Sequence, residues 1–196
     1  PKTAWPPTWY NRDSFAYIYM FFDYDAHSTL ADDRKIEEML SFFNDETNEG
    51  KLYISYPMVE AIRHYKDMDS FKSFTVKCKR NNCPYADDCA DKEACLQEPH
   101  YKKIASDESR PQLSNINSYK KEVWQELITA HLCKANYLVN DDFNLPSSLM
   151  SQEDIFSKQL TKHISNRCPE VAVLSAFPLY VLDYFGCDKT KAKLKE

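Results

Sequence analysis

Residues 15–25 read FAYIYMFFDYD, an apolar run that ends abruptly in two aspartates. Nearly every residue of the run is aromatic, β-branched or otherwise apolar, and the run has the length of a strand, which is typical of a buried β-strand. Apolar side chains stand at successive positions, so we expect both faces of this strand to be covered. Parallel sheets wrapped by crossover helices provide that cover. The stretch therefore predicts an α/β fold.

Two carboxylates, Asp23 and Asp25, follow directly after the apolar run. Open α/β sheets place their ligand sites at the carboxyl ends of strands, and alternate residues of a strand point to the same side. Two such charges repel each other unless a cation lies between them, and carboxylate oxygens suit Mg²⁺ or Mn²⁺. The pair predicts a divalent-metal site, with a solvated turn after a core strand as the alternative.

A helix and a second strand follow these aspartates. Residues 34–43 carry apolar side chains at helical spacing, and either Asp32 or Asp33 is the expected N-cap. Residues 51–56 then read LYISY after Lys51, as expected of a strand. A crossover of this length allows a right-handed parallel unit. The order predicts a Rossmann-like parallel sheet flanked by helices.

Glu60 is the third candidate ligand. Pro57 suits the first position of a helix, so Glu60 should stand in the first helical turn after the second strand. This places it at the same sheet edge as Asp23 and Asp25, and three converging acids can hold a divalent cation. The alternative is an acidic residue that is favoured by the helix dipole and has no other role.

A polar stretch downstream holds four cysteines with four, five and five residues between them: Cys78, Cys83, Cys89 and Cys95. No close Cys-x2-Cys pair is present, and His100 is available as a substitute ligand. A structural zinc site is one prediction. Free thiols in a surface insertion and an iron–sulfur cluster are the alternatives.

Helical spacing returns in the last third of the chain. Helices are predicted over residues 118–137 and 151–165, and His131 is expected to be a packed core histidine. Residues 171–182 are apolar nearly all round and predict a buried helix kinked at Pro178, with Gly186 as its cap. The chain thus divides into an α/β core (1–66), a cysteine-containing insertion (67–117) and a helical part (118–196).

Composition limits the function classes. The chain has 196 residues, 43% hydrophobic and 28% charged, with only two glycines, which excludes collagen-like and disordered chains. The net charge of −5 argues against a strongly basic nucleic-acid binder, although an acidic metal-dependent nuclease remains compatible with it. No apolar run approaches the length of a membrane span, and no signal segment opens the chain, so we expect a cytoplasmic protein that does not contact membranes.

Two strings of residues resemble a known family. FFDYD at 21–25 resembles the Asp-x-Asp motif of Toprim domains, the metal-binding fold of topoisomerases, primases and nucleases of the overcoming-lysogenization-defect type. KLYISYPMVE at 51–60 is similar to the strand and acidic helix of small Toprim-like proteins of phage-defence and abortive-infection systems. The resemblance covers about residues 14–66.

The resemblance implies a nuclease in antiphage defence that cleaves nucleic acid with Mg²⁺ or Mn²⁺. Asp23, Asp25 and Glu60 would be its metal-binding and catalytic residues, and an ATPase would be its partner subunit. Toprim sites also use a glutamate on an earlier strand, and none of the 22 residues before Asp23 is Glu. We therefore expect either that this strand lies upstream of Pro1 or that the catalytic glutamate is lost.

Two other functions fit the same residues. A haloacid-dehalogenase-like phosphatase also carries Asp-x-Asp after a buried strand; Asp23 would be its nucleophile and Asp25 its acid/base. Lys134 and the pair Asp141 and Asp142 would complete that site, but His27 stands where that family prefers Thr or Val. The other alternative is a non-catalytic interaction module, and a homo-oligomer is left open.

Overall fold

The computed structural model describes residues 11–25, 32–77 and 101–196. The strands are β1 (Tyr19–Asp23), β2 (Asn44–Asp45), β3 (Gly50–Ser55), β4 (Thr75–Lys77) and β5 (Glu170–Ala172). The α-helices are α1 (Asp33–Phe42), α2 (Met68–Lys72), α3 (Tyr101–Glu108), α4 (Lys121–Asn140), α5 (Gln152–Gln159), α6 (Ala176–Phe185) and α7 (Cys187–Lys193).

The predicted strand–helix–strand unit is present. β1 pairs in parallel with β3, so that Tyr19 lies opposite Lys51 and Asp23 opposite Ser55, while the short β2 pairs antiparallel on the other side of β3. The mixed α/β class is confirmed. Within the described residues this sheet has three strands and one parallel pair, so the larger Rossmann-like sheet stays a prediction.

The predicted helix start is confirmed at α1. The Asp32 carboxylate accepts a hydrogen bond of 3.0 Å from the Arg34 backbone N–H, as an N-cap does. Asp33, in the first turn, accepts a 2.8 Å hydrogen bond from the hydroxyl of the buried Tyr24. This bond fixes the end of β1 against the start of the crossover helix.

The strand covered on both faces is β3 and not β1, which corrects the expectation for residues 15–22. From Leu52 to Ser55 β3 is buried throughout, whereas Phe21 and Phe22 of β1 are 50% and 48% exposed. The reason is position: β3 is central and β1 has a single partner strand among the described residues. Phe21 and Phe22 are therefore left to line a surface feature.

The main core lies between the sheet and the C-terminal helices. Helix α6 packs on β3, where the Tyr53 hydroxyl donates a 2.8 Å hydrogen bond to Asp183. The Lys51 ammonium forms a 2.7 Å ion pair with the same carboxylate. A second buried cluster, which includes Ile62, Phe71 and Val173, lies beside the main core. The packing thus joins residues far apart in the chain.

The prediction of one kinked helix over residues 171–182 is wrong. The stretch begins as β5, which pairs antiparallel with β4, and helix α6 starts only at Ala176 after the N-cap Ser175. Pro178 falls in the first turn of α6, where a backbone N–H is not needed, so it does not interrupt the helix. Gly186 ends α6 with a φ of 76°, as predicted.

Contacts join the described parts of all three predicted segments. The β4–β5 pairing links residues 75–77 to 170–172, and α2 packs on α4. Each helix within residues 11–25, 32–77 and 101–196 is too short or too polar to cross a bilayer.

Candidate functional site

A cleft of about 800 Å³ opens at the carboxyl ends of β1 and β3. It is bounded by the two strands, the turn after β3, helix α4 and the start of α6. Its walls are mostly apolar and are formed by Phe21, Phe22, Asp23, Ser55, Val59, Ile62, Ile116, Trp124, Ser175, Ala176 and Phe177. The cleft lies where open α/β sheets place their ligands.

Asp23 is the only carboxylate among these lining residues. Partial burial raises the pKa of Asp23, and the negative charges of Glu60 and Asp25 raise it further. A hydrogen bond from the Val59 backbone acts in the opposite direction. Asp23 thus carries a charge that its acidic neighbours disfavour, which is the electrostatic setting that a bound cation would relieve.

Asp23 ends β1, and Asp25 follows it by two residues. Both are exposed, while Tyr24 between them is buried and faces α1. Asp25 does not line the cleft, although its charge reaches Asp23.

Glu60 lies in a single 3₁₀ turn, Val59–Ile62, and not in the longer helix that Pro57 predicts. Its Oε2 atom is buried and has no hydrogen-bond partner in the described structure. Glu60 acts electrostatically on Asp23 and also on the buried Tyr101, whose pKa is raised mainly by burial. It does not line the cleft.

The three predicted acids therefore share one sheet edge without forming a closed ligand set. Across the described ranges, no three His, Cys, Asp or Glu side chains lie close enough together to hold a metal ion. Asp23 and Glu60 could contribute to a metal site whose remaining ligands come from elsewhere.

Aromatic rings form a continuous wall along the cleft. The Phe21 ring lies 5.4 Å from that of Tyr53 and 5.6 Å from that of Tyr180, measured between centroids. The Phe177 ring lies 5.5 Å from that of Trp124 and 6.4 Å from that of Tyr180. These separations are typical of packed aromatic pairs. Of these rings, Phe21, Trp124 and Phe177 line the cleft and can contact a ligand, while Tyr53 and Tyr180 pack behind Phe21.

The start of α6 is held by protein groups. His131 Nδ1 accepts a 3.1 Å hydrogen bond from the Ser175 N–H, and Ser55 Oγ accepts one of 3.2 Å from the Ala176 N–H. The Ser175 hydroxyl accepts from the Phe177 N–H. Because these donors are occupied, this helix terminus does not offer a free anion site.

His131 is a packed core histidine, as predicted. It is fully buried, and burial lowers its pKa to about 3, helped by the positive charge of Lys134. Its Nε2 atom faces the carbonyl groups of Ala61 and Ile62 without a well-aligned hydrogen bond. The neutral ring is thus a structural acceptor for Ser175.

The residues of the phosphatase alternative are not brought together. Lys134 and Asp141 line a different cavity from Asp23. Asp142 accepts hydrogen bonds from Asn136 and Asn144. The expected nucleophile and the expected charge clamp therefore do not share a site.

Six candidate residues lie outside the described ranges: His27, Cys78, Cys83, Cys89, Cys95 and His100. The structural zinc site consequently stays a prediction.

Sequence reasoning missed the aromatic wall. The apolar pattern at Phe21 and Phe22 predicts a buried strand, because such a pattern does not reveal which strand of a sheet is central. Trp124 lies in the predicted helix 118–137, whose pattern does not show which residues face a cleft. Ser175 carried a usable signal, since a serine directly before the first residue of a helix is a common N-cap.

Comparison with known proteins adds no assignment to this geometry. No family model matches the chain. Neither the curated proteins nor the solved structures contain a match to it.

Proposed function

We propose that the protein cleaves nucleic acid by divalent-metal-dependent phosphodiester hydrolysis at the carboxyl edge of β1 and β3. Asp23 and Glu60 would bind Mg²⁺ or Mn²⁺ there, with Asp25 close by. The observation that carries this proposal is the electrostatic coupling of the three acids: the charges of Glu60 and Asp25 both act on Asp23. A divalent cation would offset that repulsion.

The buried Oε2 atom of Glu60 also supports a bound cation, since it has no hydrogen-bond partner among the residues that the structure describes. A buried carboxylate oxygen without a hydrogen bond is costly unless a cation or water satisfies it. When bound, the metal would activate water and stabilise the charge that develops on the phosphate.

The aromatic wall suits an unpaired strand better than a duplex. Exposed rings such as Phe21, Phe22 and Phe177 offer faces on which bases stack without sequence preference. None of the described residues that line the cleft is a lysine or arginine, so base stacking and the metal would have to replace the basic groove of other nucleases. The ATPase partner remains an expectation from the family resemblance.

Calorimetric titration with Mn²⁺ tests the metal site. We expect wild-type protein to bind Mn²⁺ and to degrade single-stranded DNA or RNA only in the presence of Mg²⁺ or Mn²⁺. Asp23→Asn, which keeps the acceptor for the Val59 N–H, should weaken Mn²⁺ binding at least about tenfold, because it removes one charged ligand.

Asp188→Asn is the matched control, since Asp188 is an exposed aspartate on α7 outside the cleft. It should leave Mn²⁺ affinity unchanged. Equal and weak Mn²⁺ binding by wild type, Asp23→Asn and Asp188→Asn would overturn the metal site.

A second candidate function, a non-catalytic interaction module, is favoured by the apolar lining of the cleft. Under that proposal, the cleft binds an apolar segment of another protein and the acids are solvated. Val59→Glu and Phe177→Glu should then abolish binding of the apolar dye ANS by the folded protein, while Asp23→Asn has no effect. Mn²⁺-dependent cleavage that Asp23→Asn abolishes would reject this candidate.

A further inference from the structure

A second cavity, of about 280 Å³, lies beside Lys134 on α4 and is unlike the first in charge. It is bounded by the end of α2, the start of β4, helix α4 and the π-helical turn Leu160–Ile164. Its polar lining includes Lys72, Ser73, Lys134, Asp141, Lys162 and His163. Three lysines face one aspartate, so the lining has a positive excess.

Lys134 is the most deeply placed of these cations, with 2% of its surface exposed. Its Nζ atom donates a hydrogen bond to the Phe74 carbonyl and lies 4.3 Å from the centroid of the Phe71 ring. An ammonium has three donors, and the described residues supply one acceptor. No carboxylate pairs with Lys134 there, although a buried charge is costly without a partner.

The electrostatics agree with this geometry. Burial holds the pKa of Lys134 well below its ordinary range. Burial also lowers the pKa of His163, and the positive charges of Lys134 and Lys162 lower it further, while Glu170 acts in the opposite direction. A negatively charged ligand in this cavity would raise the pKa of His163 and so act against the two lysines.

The negative groups at this cavity are already engaged. Asp141 forms a 2.7 Å ion pair with Lys162 at the solvent-facing side, where such pairs contribute little. Glu170 accepts a 2.7 Å hydrogen bond from the Thr75 hydroxyl. The Lys72 ammonium contacts aromatic rings and lies 4.6 Å from the centroid of Tyr137. An incoming anion could therefore recruit Lys162 and Lys72 without leaving a buried charge unpaired.

We propose that this cavity is a binding site for a small phosphomonoester, with the phosphate between Lys134 at the base and Lys162 and Lys72 at the mouth. A phosphate dianion has three terminal oxygens, which matches amines arriving from three separate elements better than a carboxylate does. The Ser73 hydroxyl is a further donor in the lining. The remaining volume admits a small organic group on the ester oxygen.

Glycerol 3-phosphate is the probe, and glycerol and acetate are its neutral and carboxylate counterparts. Calorimetry on the full chain should show binding of glycerol 3-phosphate, weaker binding of inorganic phosphate, and no binding of glycerol or acetate. Lys134→Met and Lys162→Ala should each raise the Kd for glycerol 3-phosphate at least about tenfold, since each removes a charge-assisted hydrogen bond.

Lys121→Ala is the matched control, because Lys121 is an exposed lysine on α4, about 20 Å along the same helix axis from Lys134. It should change the Kd less than twofold. If Lys134→Met does not fold, Lys162→Ala and Lys72→Ala decide the matter. Unchanged affinity in the lysine variants, equal loss in Lys121→Ala, equal binding of acetate, or no binding by wild type would overturn the site.

Discussion

The two cavities differ in the depth at which they hold their charged groups. The cleft at Asp23 is large, apolar and open, and its single lining carboxylate is exposed to solvent. The cavity at Lys134 is about a third as large and holds a lysine that solvent hardly reaches. The comparison teaches that depth decides the electrostatic cost of a charge: water screens Asp23, whereas Lys134 must find its partners within the protein or in a ligand.

One ring connects the two sites. The Phe71 ring contacts the Lys134 ammonium, and its centroid lies 4.8 Å from that of the His131 ring. His131 in turn holds the Ser175 N–H at the wall of the Asp23 cleft. The predictions below ask whether the two sites depend on this shared boundary or only on their own charges.

The largest effect is expected from Phe71→Ala. Phe71 is 1% exposed, and truncating a buried phenylalanine costs about 3–5 kcal/mol through lost burial and the cavity left behind. Urea denaturation should show this fall in the free energy of unfolding. Phe42→Ala, at an exposed phenylalanine on α1, should change it by less than about 0.5 kcal/mol. A small effect at Phe71 would mean that the two sites are not built on a common core.

The second effect is a pH dependence set by His131. Its folded-state pKa of about 3 lies below the ordinary value of 6.5. Between pH 6.5 and pH 3, His131 is therefore protonated in the unfolded chain and neutral in the folded chain. Its contribution to stability is therefore complete above pH 6.5. As pH falls from 6.5 toward 3, this contribution to the free energy of unfolding decreases by about 1.4 kcal/mol per pH unit.

His131→Gln should flatten the stability curve between pH 7 and pH 5 relative to wild type. Glutamine keeps an acceptor for the Ser175 N–H but does not titrate. His64 and His163, whose pKa values are also lowered, titrate in both proteins, so the difference between the two curves isolates His131. If the two proteins lose stability equally between pH 7 and pH 5, protonation of His131 does not destabilise the folded protein.

The smallest effects come from removing the two opposite charges. Lys134→Met should raise the free energy of unfolding at pH 7 by about 1–3 kcal/mol, because it replaces a buried charge with an apolar chain of similar length. The gain should shrink as pH rises toward the ordinary lysine pKa, since the folded-state pKa is lowered.

Asp23→Asn should change stability at pH 7 by less than about 1 kcal/mol, because solvent screens this exposed group. The variant should be slightly more stable than wild type, and this difference should appear as pH rises. The reason is that the pKa of Asp23 is raised, so its ionised form is disfavoured in the folded protein. Denaturation curves at pH 4, 7 and 9 measure both variants. A larger gain at Asp23 than at Lys134 would reverse the comparison.

Local signals in the sequence predicted local structure. The Asp32 cap, the strand at 51–56 and the helix end at Gly186 each depend on a few neighbouring residues, and each is present within two residues of its expected place. Which strand is central depends on pairing between distant residues. The aromatic run of β1 therefore gave no sign that Phe21 and Phe22 would be half exposed.

The burial of Lys134 at the second cavity could have been predicted from the sequence. Lys134 follows His131 by three residues on α4, so the apolar face that includes His131 also brings the lysine inward. The failed prediction of a kink at Pro178 has a similar cause. A proline in the first turn and a proline in the middle of a helix look alike until the helix start is known.

During synthesis, the bonds from Lys51 and Tyr53 to Asp183 can form only after Asp183 has been added to the chain. Tyr53 and Asp183 are 130 residues apart in the chain. At the usual rates of translation, roughly 6–26 s separate the synthesis of the two residues. Throughout that interval the nascent β1–β3 pair lacks helix α6, and its aromatic surface is available to chaperones or to other unfinished chains. Ribosome stalling in this interval should therefore increase aggregation more than stalling after Asp183 has been added.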